Sequence, residues 1–186
     1  MRQSEMSSPM ATIVQRVFTE KTSTLLEESG AFTAEELAQL CMDLRQQMHQ
    51  CLENLPESAF EPGEDRAEGE PEWTAGEIIS HNSDRLLWAM EEAATTLGFD
   101  LPRMDASFEL VKKHAARTPR LLGSVVALEV LEAATKYAMF VHPILIAADH
   151  GQETDRTHHG LMSLTAWLLL MCIHDGDHLD QLQARQ

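Results

Sequence analysis

The stretch LMSLTAWLLLMCIHDGDHLDQL, residues 161–182, decides the fold class of this chain. Its first half is apolar all round, and a helix of that kind is buried on every side by other protein. Its second half is polar and carries His174 and His178, four residues apart. We therefore predict a long helix from about Gly160 nearly to the C-terminus, buried among other helices.

Two further long helices begin with the same local signal. In each, a threonine is followed three residues later by a glutamate, the capping box that satisfies free backbone N–H groups at a helix start. Apolar residues then recur at the spacing of one helix face. The residues that mark the starts and ends are Thr33, Glu36 and Pro56 for the earlier helix, and Thr74, Glu77 and Gly98 for the later one.

Residues 121–148 predict one more long helix, mostly buried, which Pro143 is expected to kink or interrupt. Shorter helices are predicted over residues 11–28 and 107–117, and no segment has a strand pattern. Four long helices joined by loops are typical of a four-helix bundle. The expected fold class is therefore all-α, a four-helix bundle with a short extra N-terminal helix.

Two polar segments separate these helices. Residues 57–72 are rich in Glu, Pro and Gly and are expected to be a mobile loop, and residues 150–159 form a second polar loop. We divide the chain into residues 1–30, a tail with the lead-in helix, and residues 31–186, the bundle domain.

The charge of the chain bears on its partners. A formal net charge of -16, with no cluster of Lys or Arg, repels phosphate backbones and anionic membrane surfaces. We therefore expect neither nucleic acid nor membrane as a partner. The apolar window at 161–173 is too short to span a bilayer, and charged residues interrupt the longer one at 121–148.

The three cysteines, Cys41, Cys51 and Cys172, show no pairing pattern and are expected to be buried fillers. Their odd number favours a reducing compartment. Since the N-terminus also lacks the apolar core of a secretion signal, cytoplasm is the expected location.

His174 and His178 are candidates for metal ligands, because residues four apart on a helix share one face and two imidazoles can converge there. A solvated helix end is the alternative. His81 lies on the flank of an apolar stripe, where a hydrogen-bonded boundary histidine is the alternative to a ligand. His49, His114 and His142 are interpreted as surface or partly buried, and His150, His158 and His159 as loop residues.

Two segments together resemble the DinB/YfiT-like superfamily of four-helix-bundle metalloproteins. WTAGEIISHNSD, residues 73–84, resembles the opening of that family's second helix with its metal histidine. HDGDHLDQL, residues 174–182, resembles the paired histidines of its fourth helix. The resemblance covers about residues 32–186, and Asn82 departs from it because an aliphatic residue is usual there.

The resemblance implies that His81, His174 and His178 bind one divalent ion, typically nickel or zinc. It also implies a homodimer. Arg85 and Trp88, on the same stripe as His81, are candidates for binding a small-molecule substrate. The alternative for Arg85 is an ion pair to Glu92 or another acid, and the alternative for Trp88 is a place in the core or pocket wall. Asp175 and Asp177 are interpreted as solvated acids; the alternative, which Asp84 shares, is to accept a hydrogen bond from a ligand histidine.

Three functions remain open, and no residue is assigned a catalytic role. The first is a metal-dependent enzyme, a thiol-dependent S-transferase or isomerase or a hydrolase, whose substrate includes a low-molecular-weight thiol. The second is a non-catalytic, stress-related dimeric protein that binds a metal or another ligand. The third is a structural bundle whose three histidines hold nothing.

Overall fold

The computed structural model describes residues 7–63, 73–102, 106–156 and 158–186, which are mostly helical. This confirms the all-α prediction. The α-helices are α1 Ser7–Val14, α2 Leu25–Ser29, α3 Ala34–Asn54, α4 Ala75–Leu97, α5 Ala106–His114, α6 Ser124–Ala148 and α7 Leu164–Gln183. A π-helix, Gln15–Glu20, follows α1, a 3-10 helix, Glu57–Phe60, follows α3, and two strands, β1 Thr154–Arg156 and β2 Gly160–Met162, precede α7.

The four long helices pack pairwise around one core. Helix α3 packs on α6 and α7, and helix α4 packs on the same two helices. The first half of α7 is buried as predicted, with Trp167, Leu168 and Leu169 fully enclosed. Helix α5 covers α6 and touches α4.

The predicted capping boxes are present. Thr33 Oγ1 accepts a hydrogen bond from the Glu36 backbone N–H at 3.1 Å, and Glu36 Oε2 accepts one from the Thr33 N–H at 2.8 Å. Thr74 and Glu77 make the same two bonds at 3.2 and 2.9 Å. Gly98 ends α4 with a φ of 83°, a left-handed conformation that favours glycine.

The prediction of one lead-in helix over residues 11–28 is wrong. The chain leaves the π-helix at Lys21, whose φ of 55° is left-handed, and α2 then starts behind its own capping box at Thr24 and Glu27. The local hydrogen bonds of that capping box stop the first helix and start the next. The predicted loop 57–72 also begins with helical turns, and its part beyond residue 63 lies outside the described residues.

Two features in the second half of the chain also differ from prediction. Pro143 does not interrupt α6, in which it lies between the buried Val141 and Leu145 and forgoes one backbone hydrogen bond. The predicted start of α7 near Gly160 is wrong, because residues 160–162 pair with β1 in a short antiparallel ribbon. The helix begins behind Ser163, whose Oγ accepts from the Ala166 N–H at 3.2 Å.

Helix α6 is also long and apolar enough to cross a membrane by length and composition alone. The core helix of a soluble protein passes the same test. Half of its most apolar window is buried inside the protein.

The N-terminal turn of α4 lies against the chain that leads into α6. A Cβ added to Gly76 would lie 1.9 Å from the Leu122 carbonyl oxygen, so only glycine permits this approach. One turn later, Ser80 Oγ donates to the His114 carbonyl at 2.7 Å and accepts from the Arg120 N–H at 3.1 Å. These contacts hold residues 114–120 beside His81.

Candidate metal centre

Three histidines from two helices lie together at one end of the core. His81 comes from α4, and His174 and His178 come from successive turns of α7. One ring nitrogen of each lies within 4.8 Å of the corresponding nitrogens of the other two. We refer to these three residues as the histidine cluster.

The nitrogen positions fit a shared metal ion. The Nε2 atoms of His174 and His178 are 3.2 Å apart. An ion about 2.1 Å from both would have an N–metal–N angle of roughly 100°, between the tetrahedral and octahedral values. The His81 ring centroid is 5.4 Å from each of the other two, and one of its nitrogens lies within 4.8 Å of theirs.

Hydrogen bonds orient His81. Its Nδ1 lies 3.3 Å from the Arg117 carbonyl oxygen, which can only accept, so the proton is on Nδ1 and Nε2 keeps its lone pair. The Trp73 ring packs on the imidazole with centroids 4.9 Å apart. A backbone carbonyl behind a histidine is a common arrangement around metal ligands.

His178 is oriented by a chain of side chains on α7 itself. Its Nδ1 lies 2.9 Å from Gln181 Oε1, and Gln181 Nε2 donates to Asp177 Oδ2 at 3.2 Å. The glutamine must therefore present its oxygen to His178, which leaves the Nε2 lone pair facing His174. Asp177 is exposed, as predicted, and its carboxylate holds Gln181 in this orientation.

Electrostatics keeps His174 uncharged. Burial, followed by the neighbouring His178 and His81 rings, lowers the pKa of His174 to about 2. Neutral imidazole is the form that binds metal.

A buried polar layer lies beside the histidine cluster. It consists of Arg45 from α3, Asn82 from α4 and Asp175 from α7, whose exposed fractions are 1%, 0% and 2%. Asn82 Nδ2 donates to Asp175 Oδ1 at 2.7 Å, and Arg45 Nη2 donates to Asn82 Oδ1 at 2.8 Å. Arg45 Nε forms an ion pair with Asp175 Oδ2 at 3.1 Å.

The polar layer corrects one interpretation of the sequence. Asp175 is not a solvated acid, because its helix turns it into the core to meet Arg45. Asn82, the position at which the sequence departs from the resemblance, bridges the two charges. The sequence did carry a signal for Arg45, since it occupies a core position of the α3 stripe, one turn after Cys41.

The three histidines that stand alone in helices differ in burial. His49 and His114 are partly buried as predicted, and His49 pairs with Glu53 and Glu132 at 3.5 and 3.2 Å. The prediction for His142 is wrong, because it is buried within α6. Burial and the charge of Arg45 lower the pKa of His142 to about 4.

A cavity of about 200 Å³ adjoins the histidine cluster. Its polar lining includes Arg85, His159, His174 and Asp175, and Trp88 forms part of an apolar wall with Leu170 and Met171. Sequence reasoning missed His159 because the β1–β2 ribbon that presents it was read as a loop. The His159 ring packs 5.8 Å from that of Trp88.

Arg85 forms an ion pair, as the alternative to substrate binding expects, but with Asp84 and not with Glu92. Its guanidinium binds Asp84, with Nε 3.1 Å from Oδ2, and lies over Trp88 at 5.3 Å from the ring centroid. Glu92 pairs instead with Arg156 at 3.0 Å, which ties the ribbon to α4.

The three cysteines are free and buried, as predicted. Cys41 and Cys172 nevertheless meet across α3 and α7, with Sγ atoms 3.0 Å apart. The hydrogen bond with Cys172, together with burial, raises the pKa of the Cys41 thiol. The Cys41 thiol is therefore a protonated core group at neutral pH.

Searches of protein-family models, curated proteins and solved structures find no match to this chain.

Proposed function

We propose that this chain is a DinB-like four-helix bundle that holds a divalent metal ion, nickel or zinc, on His81, His174 and His178. The observation that carries the proposal is the convergence of three imidazole nitrogens within 4.8 Å. The mutual packing of α3, α4, α6 and α7 supports the bundle. Three neutral nitrogen ligands leave coordination positions open for a substrate or water, as catalytic sites require.

We propose further that the protein is a metal-dependent enzyme, a thiol-dependent S-transferase or isomerase or a hydrolase. The bound ion would supply a Lewis acid that lowers the pKa of a thiol or of water. The cavity beside His174 receives the small-molecule substrate. Arg85 offers a positive charge to an anionic group, and Trp88 supplies a flat apolar wall.

The size of the cavity favours a second candidate, a non-catalytic, stress-related protein that binds a metal or another ligand. A volume of about 200 Å³ is smaller than that of most small-molecule sites, which enclose roughly 300–1,000 Å³. A metal ion with a few water molecules needs no more room than this.

The proposed setting is a cytoplasmic homodimer that binds neither nucleic acid nor membrane. The net charge of -16 supports the exclusion of polyanions. Two exposed apolar side chains on α6, Val125 at 67% and Met139 at 61%, support a dimer contact on that helix.

Elemental analysis of protein purified without a histidine tag tests the metal site. We expect close to one equivalent of nickel or zinc, and its loss in His174→Ala. His49→Ala is the matched control, since this partly buried histidine lies outside the cluster and should leave metal content unchanged. Less than a tenth of an equivalent, unrestored by added zinc or nickel, would refute the proposal.

A turnover screen separates the enzyme from the binding protein. Metal-loaded protein is incubated with glutathione, mycothiol or bacillithiol and a panel of electrophiles, and separately with esters. Turnover that disappears in Arg85→Ala while metal content stays full supports the enzyme and its cavity. Full metal loading without turnover on any of these substrates favours the binding protein.

A further inference from the structure

We infer that the buried polar layer is a clamp that sets the distance between the two helices that carry the histidine cluster. The expected effect on metal binding rests on the proposed function. The expected effect on the spacing of the histidine rings rests on the side-chain geometry alone. Arg45, Asn82 and Asp175 are therefore positioning residues.

The layer adjoins the ligands in sequence as well as in space. Asn82 directly follows His81 on α4, and Asp175 directly follows His174 on α7. The 2.7 Å hydrogen bond between Asn82 and Asp175 therefore joins the two helices at the level of their ligands. A change in this bond alters the separation or rotation of the helices within one residue of each histidine.

Arg45 makes the link rigid. Its Nη2 reaches Asn82 Oδ1 at 2.8 Å and Asp175 Oδ1 at 3.3 Å, while its Nε lies 3.1 Å from Asp175 Oδ2. The guanidinium is planar, so contacts with both partners fix their relative orientation. Helix α3 thereby sets the registry of α4 against α7.

Stability alone gives a poor reason for this layer. An ion pair taken out of water loses hydration that its own attraction repays only in part, and apolar residues of similar volume often do as well or better. Arg45 Nε and Nη1 and Asp175 Oδ2 are also buried without a hydrogen bond, so the 3.1 Å contact between Nε and Oδ2 is an ion pair only. A function in positioning explains why the layer lies beside the ligands.

The test compares two variants with the wild type. Asn82→Leu removes the bridge and leaves the Arg45–Asp175 pair, and the triple variant Arg45→Met, Asn82→Leu, Asp175→Leu replaces the layer with apolar side chains and strands no charge. Each protein is measured for its zinc dissociation constant and, in metal-free crystals, for the 5.4 Å separation of the His81 and His174 rings.

A clamp predicts roughly tenfold weaker zinc binding in both variants. It also predicts ring separations that differ from the wild type by more than about 0.5 Å, the tolerance within which a functional site is held. The triple variant should keep or raise its melting temperature, so that stability and zinc affinity move apart. Unchanged ring separation and unchanged zinc affinity in folded variants would overturn the inference.

Met90→Ala is the matched control. Met90 is fully buried on α4, two turns beyond Asn82, so its loss lowers the melting temperature without touching the layer. Zinc affinity and ring separation should stay at wild-type values in Met90→Ala. If both change as much as in Asn82→Leu, general core packing and not the clamp positions the histidines. If the wild type binds no zinc, the proposed function fails, and the ring separations alone decide on the clamp.

Discussion

The histidine cluster and two members of the polar layer, Asn82 and Asp175, occupy neighbouring positions on the same two helices, and the two regions have opposite electrostatic designs. The cluster brings together ring nitrogens that face one another, and it opens to a cavity. The layer gathers a cation and an anion that neutralise each other inside the core. The cluster can bind a cation, whereas the charges of the layer are already paired. On α4 and on α7, the residues of the two regions are next to each other in sequence.

The largest expected difference between the two regions is in the stability of the metal-free protein. Asp175→Leu strands the Arg45 charge in the core and should lower the free energy of unfolding by about 3–5 kcal/mol. His81→Ala removes a partly buried ring and should cost about 1 kcal/mol. Urea unfolding in the presence of a chelator measures both. A smaller loss for Asp175→Leu than for His81→Ala would break the comparison.

Acid should sharpen the comparison through His142, which faces the charge of Arg45. Burial and that charge lower the pKa of His142 from 6.5 to about 4, so below pH 6.5 the unfolded chain takes up a proton that the folded chain refuses. The stability is complete above pH 6.5 and is lost progressively as the pH falls towards 4, by up to about 3 kcal/mol.

His142→Gln should remove that part of the pH dependence. Unfolding free energies of the wild type and the variant, measured between pH 7 and 4, should converge as the pH falls. Parallel curves would show that His142 titrates normally and lies outside the influence of the polar layer.

Within the histidine cluster, the hydrogen bond behind His178 should have a smaller effect. Gln181→Leu removes the acceptor that orients Nδ1 and should weaken zinc binding roughly tenfold, or about 1.4 kcal/mol. Gln183→Leu, an exposed change two residues on, is the control and should leave affinity unchanged. Equal affinities for the two variants would show that the ring holds its orientation without Gln181.

The smallest expected effect has the opposite sign. Gly176 lies in α7 between Asp175 of the polar layer and His178 of the histidine cluster, and a Cβ there would meet open space. Gly176→Ala should therefore raise the unfolding free energy by about 0.5–1 kcal/mol without changing zinc affinity. Gly76→Ala must lose stability in the same thermal-denaturation assay, because its Cβ would overlap the Leu122 carbonyl.

The cluster could be found from the sequence, and the layer could not. The spacing of His174 and His178 on one helix marks them as candidate ligands, and the resemblance adds His81. Asp175 looks solvated from its own helix, because its partner Arg45 lies 130 residues away on α3. Only the packing of α3 against α7 brings the two charges together.

Local signals gave the starts of α3 and α4, because a capping box consists of neighbouring residues. They failed where tertiary pairing decides the structure. Strands of three residues are too short to show an alternating pattern, so the β1–β2 ribbon was missed together with His159. Pro143 does not interrupt α6, because the burial of its neighbours outweighs the loss of one hydrogen bond.

X-ray absorption spectroscopy at the zinc edge, on protein loaded with equimolar zinc, tests most directly whether the cluster is a metal site. We expect three imidazole nitrogens at about 2.0–2.1 Å with oxygen completing the shell, and one imidazole fewer in His81→Ala. A first shell that contains sulfur, or one unaffected by the loss of His81, would contradict a site built from His81, His174 and His178.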